Sequence, residues 1–377
     1  MNRADRTIVL TSDFPPENGG IQRYCASLAD ALEHLGREVT VVTSAEHRDA
    51  AAFDASLPYP VVRCAGRGVR RIVTLRAALE RTLATAGSRS DVIAANWKPA
   101  GVAASLLRAT RRFPLTVIAH GSEIARQSTP LRRFALHSAL ARVDRVVAVS
   151  SYTARLVRET SGFDADVIPV GVTPSDVTRN MAERPTILSV GRLVPRKGFD
   201  RLIEAFAWIA PQMPTATLEI VGDGPQRADL ETLVRRLGIA ENVRFLGALD
   251  DAGLNAAYAR AWCFAMPNRR EGYDVEGFGI VFLEAASAGL AALGGTGSGA
   301  DDAIVDGETG YLVDGNDAGD IAQALLRLLA DRDRSFAMGV AARRRAREEF
   351  SWSRVARAFA ETTTIAHGAE AVRASAA

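Results

Sequence analysis

Two carboxylates, Glu276 and Glu284, stand eight positions apart in the stretch EGFGIVFLE, the first just before a Gly-Phe-Gly turn and the second beyond an apolar run. That run reads as the first turn and a half of a helix, so the backbone N–H groups around Gly279, Ile280 and Val281 have no partners within it. A helix start of this kind attracts anions, and glycine lets a ligand come close to the backbone. A phosphate there, flanked by side chains that only accept hydrogen bonds, suits a sugar nucleotide: charge for the N–H groups, hydroxyls for the glutamates. Spacing alone is equally compatible with an amphipathic helix that has a glycine-rich cap and two solvated glutamates.

Other residues could serve the same chemistry. Arg192 and Lys197 lie five positions apart in VGRLVPRKGFD, a loop between a strand and a helix. Fixed cations at that place would stabilise the negative charge that develops on a leaving nucleotide. Arg forks onto two oxygens, whereas Lys acts as a point charge. The chain's only lysines are Lys98 and Lys197, which makes Lys197 conspicuous. In AHGSEI, His120 follows a strand, at the carboxyl edge where ligands of parallel sheets bind. The first strand ends near Asp13 and leads into DFPPENGGIQRY, whose Gly19 and Gly20 precede a helix without forming the G-x-G-x-x-G of a dinucleotide site. Each has a plainer reading alone: a solvated basic loop, a structural histidine, a tight turn.

With Asp274 and Val275 before it and Ala285 after it, EGFGIVFLE resembles the E-x7-E segment of retaining glycosyltransferase family 4, enzymes of the GT-B fold. The resemblance implies a hexose transfer from a nucleotide diphosphate to a hydroxyl. It sets Gly19, Gly20, Arg192 and Lys197 against the diphosphate and His120 near the donor sugar, with Glu276 expected to act on the transferred sugar and Glu284 on the ribose. It also implies retention of configuration, and because cations at Arg192 and Lys197 with the helix start can do a metal's work, no metal is expected. The segment NRREGY before DVEG resembles that of actinobacterial mannosyltransferases acting on phosphatidylinositol mannosides, which favours GDP-mannose over a UDP-sugar. Two departures bear on the sugar pocket: Gly289-Leu290-Ala291-Ala292 replaces the family's Gly-x-Pro-Val, and Ser298-Gly299-Ala300-Asp301-Asp302 replaces Gly-Gly-x-x-Glu. Asp-x-Asp pairs occur at Asp164/Asp166 and Asp331/Asp333, one opening a strand and one between helices, so neither marks a metal site.

The elements that must hold these residues follow from the hydrophobic pattern. Apolar strand-length runs alternate with amphipathic helices twice, from Thr7–Thr11 to Asp166–Ile168 and again from Thr186–Val190 to Tyr311–Val313. Such alternation gives parallel, doubly wound sheets. At 377 residues the chain exceeds what one core usually serves. The expected α/β organisation is therefore two Rossmann-like domains, over 1–170 and 171–350, with a cleft between them; the resemblance to GT-B enzymes implies that the first binds the acceptor and the second the nucleotide sugar. Residues 171–185, polar and with two prolines, read as the linker. A helix over 351–366 is expected to cross back to the N-terminal domain, as in GT-B enzymes, and the last residues read as a disordered tail.

Composition bounds the rest. Apolar residues make up 47% and charged residues 24%, ordinary values for a globular protein. No run approaches a membrane span, and the N-terminus lacks a signal-peptide core, so a cytoplasmic location is expected, at or near the inner face of the membrane. Cys25, Cys64 and Cys263 show no metal-type spacing and read as buried thiols. Net charge is +2, but residues 1–170 carry 23 Lys and Arg against 16 Asp and Glu. Within them Arg67, Arg70, Arg71, Arg76 and Arg81 gather in and before one helix, and Arg108, Arg111, Arg112, Arg126, Arg132 and Arg133 lie in two further segments. A basic face there suits a lipid-linked acceptor at an anionic membrane, with a glycan or small-molecule acceptor as the rival; no nucleic-acid partner is expected. Three other classes share parts of this pattern: a nucleotide-sugar epimerase, a non-catalytic sugar-nucleotide binding protein, and a pyridoxal-dependent phosphorylase, which would need Lys98 as its Schiff base.

Overall fold

Continuous apolar runs, rather than alternating ones, mark strands covered on both faces, and here they form two wholly parallel sheets. The computed structural model describes residues 6–17, 19–44, 46–86, 90–127 and 129–361. In the first unit, residues 1–171 and 352–377, the strands are β1 (Arg6–Thr11), β2 (Glu38–Thr43), β3 (Val61–Arg63), β4 (Ser90–Ala94), β5 (Leu115–Ala119), β6 (Arg145–Ala148) and β7 (Asp166–Val167). They are ordered β3-β2-β1-β4-β5-β6-β7. Ile8, at the centre of β1, is wholly buried and lies between Thr40 of β2 and Val92 of β4.

The second unit, residues 172–351, contains β8 (Thr186–Val190), β9 (Thr217–Val221), β10 (Val243–Gly247), β11 (Cys263–Met266), β12 (Ala291–Gly295) and β13 (Gly310–Val313). Their order is β10-β9-β8-β11-β12-β13. The expected α/β class, two Rossmann-like domains in succession, is what the chain forms. In each sheet the strand order reverses once, between β1 and β4 and between β8 and β11, and ligands of such sheets bind where the loops diverge at these points.

Residues 352–361 are helical and bury Val355, Ala356 and Phe359 within the first unit. Trp352 stacks edge-on against Tyr24, and Arg145 donates to the Ala358 carbonyl at 3.1 Å. Gly171 must lack a side chain because a Cβ would stand 2.4 Å from the Trp352 ring. The remainder of the expected crossover helix, 362–366, and the tail lie outside the described residues.

Several expectations need correction. Segment 172–185 has no helix or strand, as a linker would, yet it is fastened to the second unit. The Ser175 N–H donates to Ser287 Oγ at 2.7 Å, and the Ala182 carbonyl accepts from the Trp262 indole at 2.8 Å. The helix Val102–Arg108 is preceded by a turn over Trp97–Gly101, in which Lys98 has an extended backbone. Strand β12 has the sequence AALGG, too small and too glycine-rich to announce a strand. Of the three thiols only Cys25 and Cys263 are buried, and burial pushes both up to about 12; Cys64 is half-buried.

Candidate active site

The loop after β8 carries Arg192 and Lys197, and the loop after β11 carries Glu276, so the reversal of strand order brings the two loops side by side. Lys197 Nζ lies 2.6 Å from Glu276 Oε2, and Arg196 donates to the same oxygen at 2.7 Å. The Lys197 and Glu276 side chains are only 9 and 12% exposed. Burial alone would push the Glu276 carboxyl up, but the Lys197 ammonium and the Arg196 guanidinium outweigh it and hold the group below the ordinary carboxylate range. Arg196 also reaches Asp274 through Nε at 3.2 Å. Neither Arg196 nor Asp274 has a sequence signal strong enough to assign it a role in this cluster.

Backbone packing keeps the two loops in register. Arg269, in NRREGY, acts as a clamp. Its guanidinium bonds both oxygens of Asp200 at 2.7 and 3.1 Å, and its N–H donates to the Arg196 carbonyl at 2.8 Å. Asn268 is fully buried; its amide donates to Ser298 Oγ at 2.6 Å and accepts from the Gly295 N–H at 3.1 Å. Gly299 donates to the Glu276 carbonyl at 3.0 Å, and a Cβ on it would stand 2.1 Å from the Gly277 oxygen. The departure at 298–302 therefore forms the wall behind the Glu276 turn.

Gly279 enters the helix Ile280–Ser287 with φ of 81°, a left-handed conformation that glycine adopts without strain, and no side chain caps the helix. The first-turn N–H groups at Ile280 and Val281 are thus left for a ligand. Glu284 lies one turn further on, half-buried, and accepts from the Tyr258 hydroxyl at 3.2 Å. The Arg192 side chain is exposed and has no hydrogen-bond or ion-pair partner among the described residues.

In the first unit, His120 follows β5. Its Nε2 lies 2.7 Å from the Ala95 carbonyl, which can only accept, so Nε2 carries the proton and Nδ1 is the ring nitrogen open to a ligand. The His120 N–H donates to Glu123 at 2.6 Å, and Tyr24 packs edge-on against the ring. Gly19 and Gly20 stand at the start of the helix Gly20–His34, again without a side-chain cap. Asp13 is bound by Ser12 and by Asn96, a buried residue from the loop after β4 that the NWKPA sequence does not mark. Among the described residues no cluster of three or more His, Cys, Asp or Glu side chains is arranged to hold a metal ion.

A depressed carboxyl gives a pH signature. A group whose folded value lies below its unfolded value adds stability above the unfolded value and loses it as pH falls through the folded one. The stability gap between wild type and Glu276→Gln is therefore expected to hold steady at neutral pH and to shrink as pH drops below about 4.3, the ordinary glutamate value. Urea unfolding of both proteins at pH 7, 5 and 3.5 measures it; a gap that stays constant over that range would show that the ion cluster does not act on folding.

Comparison with known proteins bears on the family and the fold. Residues 18–176 match the family model described as Glycosyltransferase Family 4, and residues 175–345 match Glycosyl transferases group 1. The chain is 33% identical to the GDP-mannose-dependent alpha-(1-6)-phosphatidylinositol monomannoside mannosyltransferase of Mycobacterium tuberculosis, across 94% of this chain and 97% of that one. The chain belongs to glycosyltransferase family 4. A Corynebacterium glutamicum mannosyltransferase acting on a monoacylated form of the same lipid is likewise 33% identical, over 93% of this glycosyltransferase and 96% of its own length. Among solved structures, sucrose-phosphate synthase from Thermosynechococcus elongatus superposes with a TM-score of 0.79 at 23% identity, covering 97% of this chain and all of the other. Anabaena Alr3699/HepE in complex with UDP gives 0.80 at 20% identity, over 95 and 99%. At those identities the likeness speaks for the GT-B fold alone. The similarity to actinobacterial mannosyltransferases, first visible in NRREGY and DVEG, thus extends over nearly the whole glycosyltransferase.

Proposed function

We propose that this glycosyltransferase moves mannose from GDP-mannose to a hydroxyl of a phosphatidylinositol-type acceptor, with retention of configuration and without a metal cofactor. The meeting of Lys197 with Glu276 at the strand-order reversal, beside an uncapped helix start, carries this reading. The helix start at Gly279, Ile280 and Val281 takes the donor's phosphates, and Glu284 takes the ribose hydroxyls. Lys197 spends one N–H on Glu276 and keeps two for phosphate oxygens. As the anomeric bond breaks, the electron pair moves onto the phosphate, where Lys197 and Arg192 stabilise it without reorganisation. Glu276, kept ionised by its two cations, accepts hydrogen bonds from the mannose hydroxyls. The leaving phosphate then takes the acceptor's proton on the face where attack occurs, which retains configuration.

Radiolabelled GDP-mannose incubated with phosphatidylinositol mannoside acceptors tests the proposal. Label should appear in the lipid phase, undiminished by EDTA, with an α linkage by NMR. Release of free mannose only, epimerised nucleotide sugar, or binding without turnover would each overturn it. Melting temperatures with UDP, GDP, ADP and their sugars identify the base, since a ligand of the native state raises stability by mass action.

The acceptor side draws support from the first unit's basic helices. On Val69–Ala86, Val69 and Val73 are 77 and 61% exposed among the arginines, and on Pro130–Leu140 so are Leu131 and Phe134, at 78 and 67%, next to Arg132 and Arg133. Exposed apolar groups beside cations suit an anionic bilayer surface, where each nearby cation contributes about 1 kcal/mol. No helix among the described residues is long and apolar enough to cross a membrane. Arg71 and Arg76 are partly buried, so the informative reversals are at the exposed Arg67, Arg70 and Arg81. Wild type is expected to sediment with anionic vesicles at low salt and to leave them at high salt, and the triple Arg→Glu variant to stay in solution at both. Equal sedimentation of the two proteins would exclude this face.

A further inference from the structure

On the second unit, an open cavity of about 440 Å³ is lined by Arg179, Arg343, Arg344 and Arg347, with the exposed Phe336 and Val340 as apolar surface. Gly289 and Glu348 complete the lining. The helix Arg332–Glu349 supplies all but Arg179, which comes from segment 172–185, and Gly289. Arg179 donates to the Gly289 carbonyl and, at 2.7 Å, to that of Ala261. Those two residues lie two positions before the first residues of β12 and β11, so the cavity lies at the amino edge of the sheet, opposite the loops that hold Lys197 and Glu276.

The arginines are fixed but not neutralised. Arg343 donates to the Ser175 carbonyl at 2.8 Å, and the Nε atoms of both Arg179 and Arg343 are buried without a hydrogen-bond partner. Among the described residues none of the four forms an ion pair, whereas Arg345 on the same helix pairs with Glu349 at 2.9 Å. Burial, with the Arg343 charge adding to it, pulls the Arg179 guanidinium down to about 10. Backbone carbonyls orient guanidinium groups but leave their charge for a ligand. Positive charge gathered in a recess of this size suits an anion that is itself part of a larger molecule.

We propose that this cavity binds a phosphate ester, with its phosphate held by Arg343, Arg344 and Arg347 near the half-buried Arg179 and its apolar substituent against Phe336 and Val340. Guanidinium groups fork onto phosphate oxygens and bring geometric selectivity along with charge. Glu348 limits the number of negative charges the site accepts. A soluble phosphorylated metabolite and a membrane phospholipid share this chemistry, and both would bind away from the donor pocket.

Calorimetry on the full chain, with saturating GDP occupying the donor pocket, tests the proposal using inorganic phosphate and monomeric dihexanoyl phosphatidate. Phosphatidate should bind at least tenfold more tightly than phosphate, and Phe336→Asp should remove that advantage. Arg343→Gln and the exposed pair Arg344→Ser with Arg347→Ser should each weaken binding tenfold or more; the pair keeps the test valid if Arg343→Gln fails to fold. Sedimentation with phosphatidate-containing vesicles assigns the source: loss of vesicle binding in the pair points to a membrane lipid, and loss only of the monomer to a soluble ester. No saturable binding by wild type, unchanged binding by the variants, or displacement of the probe by GDP would overturn the proposal. Mannose transfer can fail with this site intact, and this site can fail with transfer intact, so the two outcomes are separable.

Discussion

Replacing Lys197 with alanine is expected to lower kcat at saturating donor by a hundredfold or more, about 3 kcal/mol of transition-state stabilisation, while the folded state loses far less. Lys197 lies at the strand-order reversal with its ammonium 2.6 Å from Glu276, and the phosphate would draw on its remaining donors. Folding should tolerate the change because Arg196, 2.7 Å from the same carboxylate, continues to neutralise Glu276. Arg192→Ala should lower kcat in the same direction and leave the unfolding midpoint unmoved, since the Arg192 side chain is exposed and partnerless among the described residues. Steady-state kinetics beside urea unfolding separates the roles. A Lys197 variant with wild-type kcat removes the residue from the reaction, and a loss of activity that tracks loss of folded protein assigns it to the fold.

The two glutamates should part company when each is made neutral. Glu284→Gln is expected to weaken GDP about tenfold, the usual scale for a lost hydrogen bond to a charged group. Glu276→Gln should leave GDP affinity unchanged or raise it, because Lys197 and Arg196 are then released toward phosphate, while kcat with GDP-mannose falls sharply. Isothermal calorimetry with GDP, followed by transfer assays at saturating donor, reads both effects. Equal losses of GDP affinity would mean that both carboxylates serve the nucleotide, and the division between ribose and mannose would have to be given up.

How much of this could be read without coordinates depended on the range of the interactions. The helix Phe199–Ile209 buries Phe199, Leu202, Ile203, Phe206 and Ile209 at helical spacing, and β8 and β9 are buried along their whole length, so local periodicity was enough to place them. The uncapped entry at Gly279 was equally local, because a glycine before an apolar run has few other conformational uses. Strand β12 escaped: AALGG offers no β-branched or aromatic residue, and its place in the sheet comes from pairing with β11 and β13.

The sequence by itself determined the α/β class, the two successive sheets and the residue types at the loop ends, since each rests on patterns that repeat within a few residues. Tertiary structure decided which of those residues meet. Lys197 and Glu276 belong to different βα units, and only the parallel crossover that places β11 beside β8 sets their charges in contact. The same holds for Arg269 in NRREGY, which clamps Asp200, 69 positions away. Segment 172–185 reads as a linker because it lacks periodicity, but its Arg179 finds carbonyls at the edges of two strands. A buried ion pair or a guanidinium bound to backbone is set by distance in space, and chain spacing carries no record of it until the sheet has formed.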